Sequence, residues 1–180
     1  MPRISPVNEN AVSQGTRDLL DAIRSAYGSV PNGLRAMARS EAVLRGAVEL
    51  SSSLSETLPD PLSELIAIAI AQQNRCGYCL SAHVAAARAL GVRRDEINRA
   101  RTGGSVDEGF AAALAFTRAV NDARGGITDD DIERVRRAGW SDADIVAIVG
   151  HVGMNVFTNY FNRVAQPAFD FPPVDVAEAA

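Results

Sequence analysis

From about residue 10 to residue 164 the apolar residues return every three or four positions. Nowhere do apolar and polar residues alternate for long enough to make a strand. A repeat near 3.6 residues places the apolar side chains on one helix face, so the pattern predicts an all-α protein. Helices are expected over Asn10 to Ala26, Glu41 to Leu54, Pro61 to Asn74, Gly77 to Leu90, Arg93 to Arg101, Asp107 to Arg124, Thr128 to Ala138 and Ser141 to Val164. Their ends carry chemical marks. Asp60 is placed to cap a helix with Pro61 at its first position, and Thr128 and Ser141 each have an aspartate three residues on. Gly91, Gly125–Gly126 and Gly139 stand where helices should stop. The tail QPAFDFPPVDVAEAA holds too much proline for a helix and is expected to lie extended over the body. A single helical domain over residues 1–180 follows, with no repeat of fixed period.

At 180 residues, 47% of them hydrophobic and 22% charged, the chain can bury a core without disulfides or metals to staple it. The longest apolar stretch, LIAIAIA at Leu65 to Ala71, lies between Glu64 and Gln72 and falls far short of the roughly 20 residues of a membrane span. No secretory leader is visible, and the expected compartment is the cytoplasm, where cysteines are normally kept as thiols. The formal charge of −4 argues against a nucleic-acid or anionic-membrane partner. All the cations are arginines, and the pairs Arg93–Arg94 and Arg136–Arg137 read as solvated helix faces.

Against that background CGYCLSAH, Cys76 to His83, stands out, because it holds both cysteines and one of the two histidines of the chain. The pair could hold a metal, close a structural disulfide, or work as a redox couple with the histidine managing protons. A structural zinc site wants four protein ligands, and no second CxxC or HxxxH is present, so no metal or cofactor is expected. Residues three and four apart share a helix face, which puts Cys79 between Cys76 and His83. A thiol at a helix N-terminus is acidified by the unpaired N–H groups, and an imidazole one turn on can take its proton. Glu64, twelve residues before Cys76 and directly ahead of LIAIAIA, needs a partner if it is near the core, and His83 is the basic group argued to be close. The competing reading of Glu64 is an exposed first-turn acid that serves the helix dipole.

Glu64, Cys76-Gly77-Tyr78-Cys79 and His83 at this spacing resemble the signature of the alkylhydroperoxidase D-like proteins of the carboxymuconolactone decarboxylase superfamily, over roughly Glu41 to Phe116. The resemblance implies an all-helical, obligately oligomeric protein with its active site near a subunit interface. It implies a thiol peroxidase that reduces a hydroperoxide and is re-reduced by a dithiol or thioredoxin-like reductant. Cys79 would be the attacking cysteine, Cys76 the resolving one, and Glu64 and His83 the proton relay. One departure is that alkylhydroperoxidase D proper has a further histidine between the cysteines, where this chain has Tyr78. The helix-dipole argument by itself favours Cys76 as nucleophile, with Arg75 beside it; the base at His83 favours Cys79, and the base is the more specific guide. A lactone decarboxylase and a non-catalytic thiol sensor remain as rival functions, the first disfavoured because decarboxylation needs no thiol pair.

His151, Asn155 and Asn159 recur every four residues on an otherwise apolar helix. This polar ladder is read as structural, and His151 is left out of the catalytic set. Phe157 and Phe161 on the same helix are hard to cover within one small domain, which adds to the expectation of a homo-oligomer.

Overall fold

The computed structural model describes residues 1–177. Among them are nine α-helices and no strand: α1 (Gln14–Tyr27), α2 (Asn32–Met37), α3 (Glu41–Leu54), α4 (Asp60–Gln73), α5 (Gly77–Ala89), α6 (Arg94–Arg101), α7 (Glu108–Asp122), α8 (Asp129–Arg137) and α9 (Asp142–Ala165). The all-α expectation holds, and α3 to α9 lie within two residues of their expected ends.

Three local differences have simple causes. α1 starts at Gln14 rather than near Asn10, because the Ser13 hydroxyl accepts the Thr16 N–H at 3.1 Å and caps it there; Glu9–Ala11 is a separate 3₁₀ turn. α2 was not expected. It has six residues between Pro31 and the loop at Ala38, too few to show a period. At the head of α4 the cap is Pro59, not Asp60, so Asp60 is the first helical residue and Pro61 the second. At the other marked positions the chemistry is as expected. Thr128 with Asp131 and Ser141 with Asp144 form reciprocal capping boxes, and Gly91, Gly125 and Gly139 take φ of 79°, 86° and 97°.

α4 is the axis of the fold. Leu62 and every residue from Leu65 to Ala71 are buried, so this helix is apolar on all sides and is packed on by α5, α6, α7 and α9. The alternation of isoleucine with alanine in Ile66 to Ala71 lets neighbouring helices approach the alanines while the isoleucines fill the gaps between them. A second, smaller core joins α1, α2 and α3 through Leu20, Ile23, Met37, Leu44 and Ala47, with Phe161 of α9 packed against it. Phe161 is therefore partly buried, whereas Phe157 stays exposed. No helix of the described residues is long and apolar enough to cross a membrane.

The chain beyond α9 is fastened down by side chains from far away in sequence. Gln72 and Arg101 donate to the Val176 and Asp175 carbonyls at 2.7 and 2.6 Å, and the Ser81 hydroxyl accepts from Val174 N at 2.9 Å. Asp170 accepts from Asn32 N at 2.9 Å. The segment thus crosses α4, α5 and the start of α2, next to the cysteines.

Candidate active site

The turn between α4 and α5 presents the cysteines, and amides hold it. Asn74, the last residue before the turn, donates to Asn159 of α9 at 3.4 Å and accepts from Asn121 of α7 at 3.1 Å; Asn121 also donates to Gln73 at 2.9 Å. Arg75 then takes a positive φ of 55°, which reverses the chain into α5. Cys76 is the N-cap of α5 and Cys79 its third residue, with Cα atoms 5.4 Å apart and the two sulfurs joined as a disulfide. Both residues are almost fully buried.

Each sulfur has its own hydrogen-bond donor. The Cys79 backbone N–H points at the Cys76 sulfur, 3.4 Å away, as expected of a capping position. The Cys79 sulfur receives the side-chain N–H of Asn162 at 3.3 Å, from the last turn of α9. Sequence reasoning did not find Asn162. The polar ladder offered a signal, since the next step of three beyond Asn159 on the same helix is Asn162. Its carbonyl oxygen is buried without a partner. Gly33 makes room for it, because a Cβ there would lie 2.6 Å from that oxygen and 3.0 Å from the Tyr78 ring.

Glu64 and His83 are brought together, the carboxylate Oε2 lying 2.9 Å from the imidazole Nδ1, with side chains 25% and 31% exposed. The pair is open enough to exchange protons with solvent, yet His83 is held by one nitrogen, which leaves the other to face outward chemistry. It stands one turn of α5 beyond Cys79. The polar contacts of the Cys79 sulfur in this disulfide form are Asn162 and, at 3.9 Å, the Thr158 carbonyl.

Tyr78 sits where the related pattern has a histidine, and here it is structural. Its hydroxyl donates to Asp170 at 2.6 Å and accepts from Gly33 N at 2.9 Å. Burial, reinforced by the Asp170 carboxylate, pushes the phenol well above its ordinary value, so it stays protonated and does not ionise at neutral pH.

His151 lies against Thr57 at 3.4 Å, and the carbonyl of its own residue accepts from Asn155 at 2.9 Å. Burial lowers its pKa, opposed by the Leu54 carbonyl and by the charge of Glu64. A lowered folded-state value means that the unfolded chain binds more protons, so this histidine favours folding above the unfolded pKa near 6.5 and loses that contribution as pH falls. The thermal midpoint should therefore drop as pH goes from about 7 towards 5, and His151→Gln should flatten that part of the profile. Parallel profiles for the two proteins would show that His151 carries none of it.

Residues 36–122 match the carboxymuconolactone decarboxylase family. The fold is similar to an uncharacterized peroxidase-related protein from Ralstonia eutropha JMP134 described as an alkylhydroperoxidase AhpD core (TM-score 0.85, 20% identity, 94% of this chain and 92% of that one). It is also similar to an uncharacterized peroxidase-related protein from Silicibacter sp. TM1040 (0.79, 23%, 96% and 93%) and to the debrominase Bmp8 solved with 2,3,4-tribromopyrrole (0.78, 20%, 93% and 91%). No curated protein sequence matches the chain. Residues 36–122, from α2 to the end of α7, thus match the carboxymuconolactone decarboxylase family, and the helices around the CxxC pair take the fold of the alkylhydroperoxidase D-like neighbours.

Proposed function

We propose that the protein is a thiol peroxidase in which Cys79 attacks, Cys76 resolves, and Glu64 with His83 moves the proton. The observation that carries the reading is the convergence on one dithiol of a sulfur-directed amide, Asn162, and a carboxylate–imidazole pair one turn away. In the reduced enzyme His83 takes the Cys79 proton through a water, and the thiolate attacks the distal oxygen of a hydroperoxide. An S–O bond forms, the O–O bond breaks, and the alcohol leaves with a proton supplied by the relay. Cys76 then attacks the Cys79 sulfenic sulfur, water leaves, and the disulfide closes. Two electrons from a dithiol or thioredoxin-like donor restore the thiols. The test is consumption of hydroperoxide by the protein with a dithiol present, with equimolar alcohol as product. Consumption no faster than with the dithiol alone would sink the reading. A lactone decarboxylase would release carbon dioxide and be indifferent to alkylation of the cysteines.

The Asn162 N–H has most to offer a charged sulfur, because hydrogen bonds to ionised groups contribute about 1.5–3 kcal/mol. That range corresponds to roughly one to two pH units. Asn162→Leu should raise the pKa of Cys79 by about that much and slow its alkylation at neutral pH by about tenfold or more, measured as rate against pH. An unmoved midpoint would leave Asn162 as packing only.

The reading includes a homo-oligomer. Val146, Val149, Phe157, Tyr160 and Val164 form an exposed apolar face along α9, and Val43 and Leu50 of α3 flank it. Between the two helices lies an apolar cleft of about 280 Å³ lined by Ala42, Gly46, Met154 and Phe157 among others. Light scattering should give a mass above the 19.1 kDa of one chain; a monomer at micromolar concentration would count against it.

A further inference from the structure

A cavity of about 790 Å³ opens beside Cys76 rather than beside the Glu64–His83 pair. Its wall includes Cys76, Gly77 and Tyr78 at the head of α5, Tyr160 and Asn162 of α9, and Phe169 of the closing segment. It also includes Arg3, Arg75 and Arg163, and no acidic residue. None of the three arginines makes an ion pair among the described residues. Of the acids close to them in sequence, Glu9 is paired with Arg24 and Arg35, and Asp170 is already taken by the Tyr78 hydroxyl and Asn32 N. In a chain of net charge −4 this concentration of unpaired cations around one disulfide is a local reversal of sign.

The backbone gives a second, independent sign. Three non-glycine residues hold φ in the left-handed region, Arg75, Arg124 and Gln166, and two of them line this cavity. The comparable turns at Gly28, Gly91, Gly103 and Gly139 use glycine, which takes such φ without strain. An arginine kept at 55° beside the cysteine accepts a backbone cost that glycine would not, and such strained residues concentrate at working sites.

We propose that this cavity is the docking site for the reductant, that the donor is a small thiol bearing a carboxylate in place of a dithiol or thioredoxin-like protein, and that it attacks the disulfide at Cys76. The carboxylate rests among Arg3, Arg75 and Arg163, and the carbon chain lies on Tyr78 and Phe169. The exposed Phe169 stands 3.8 Å from where a Cβ on Gly77 would be, on the wall of the same cavity, and Cys76, a residue 1% exposed, is reached once that wall moves. The incoming thiolate bonds to Cys76, the Cys76–Cys79 bond breaks, and Cys79 leaves with the electron pair. Asn162 already aims its N–H at that leaving sulfur, which makes it the better leaving group of the two. A second thiolate then attacks the carrier's sulfur in the mixed disulfide and releases Cys76, so two thiols become one carrier disulfide and the enzyme dithiol is regenerated. This direction of attack rests on the roles given to the two cysteines above.

The test uses the oxidised full-length protein and no hydroperoxide, so it is decided separately from peroxidase activity. Rates of disulfide reduction are compared for 3-mercaptopropionate and for neutral 2-mercaptoethanol, each per thiolate. The anionic-to-neutral rate ratio should fall about fivefold in Arg75→Gly, which the local φ accepts, and similarly in Arg163→Gln, the upper end of what one solvent-exposed ion pair contributes. It should also fall in the wild type when salt is raised to about 0.5 M, which needs no variant. Acid-quenched mixed disulfide should map to Cys76. A ratio indifferent to both arginines and to salt, or an adduct on Cys79, would overturn the assignment.

Discussion

Cys79→Ser is expected to consume no hydroperoxide, whereas Cys76→Ser should consume one equivalent and stop. The asymmetry comes from the division of contacts. The Cys79 sulfur has the Asn162 N–H at 3.3 Å and lies one helical turn from an imidazole held by Glu64, so it has both a stabiliser and a proton acceptor. The Cys76 sulfur has only the capping N–H of Cys79 at 3.4 Å. Once Cys79 has become a sulfenic acid, Cys76 is the thiol positioned to close the disulfide, and without it the oxidised sulfur waits for an external thiol or for further oxidation. Mass spectrometry of Cys76→Ser after one equivalent of hydroperoxide should show one added oxygen on Cys79. If Cys76→Ser were the inert variant, the helix N-terminus would outweigh the base and the two roles would be exchanged.

The relay is expected to have the second-largest effect. General-base assistance contributes about 10² to 10⁴-fold in rate, and both Glu64→Gln and His83→Gln should lose a substantial part of it at neutral pH. Glu64→Gln keeps the shape of the side chain and removes its charge, so a loss there is a loss of the proton acceptor's orientation and not of packing. The difference from wild type should shrink as pH rises, because above the thiol pKa the sulfur is ionised without help. Rates of Cys79 alkylation against pH in the three proteins read this directly. Superimposable profiles would make the 2.9 Å contact between Glu64 and His83 a structural hydrogen bond alone.

The parts of this molecule legible in its sequence are those where the signal is local. Eight helices could be placed because each repeats its apolar face over two turns or more, and the capping boxes at Thr128 and Ser141 need only four residues to declare themselves. The CxxC pair and His83 were legible because the chain has only two cysteines and two histidines, and Glu64 because it stands directly ahead of the apolar run LIAIAIA. What was missed depends on long range. α2 has no period to show, and its place is set by contacts to the Tyr78 hydroxyl and Asp170, 45 and 138 residues away. Asn162 is one polar residue among several on α9, and only the approach of α9 to α5 across 83 residues singles it out. The same holds for Arg3, Arg75 and Arg163, which are scattered in sequence and converge on one cavity wall.

The central claim, that this dithiol reduces hydroperoxides, is tested most directly by a single-turnover titration of the reduced protein with no other thiol present. One equivalent of an organic hydroperoxide should give one equivalent of alcohol, remove both free thiols of the chain, and yield a tryptic fragment linked Cys76 to Cys79. An unchanged thiol titre, with the hydroperoxide recovered intact, would contradict the account.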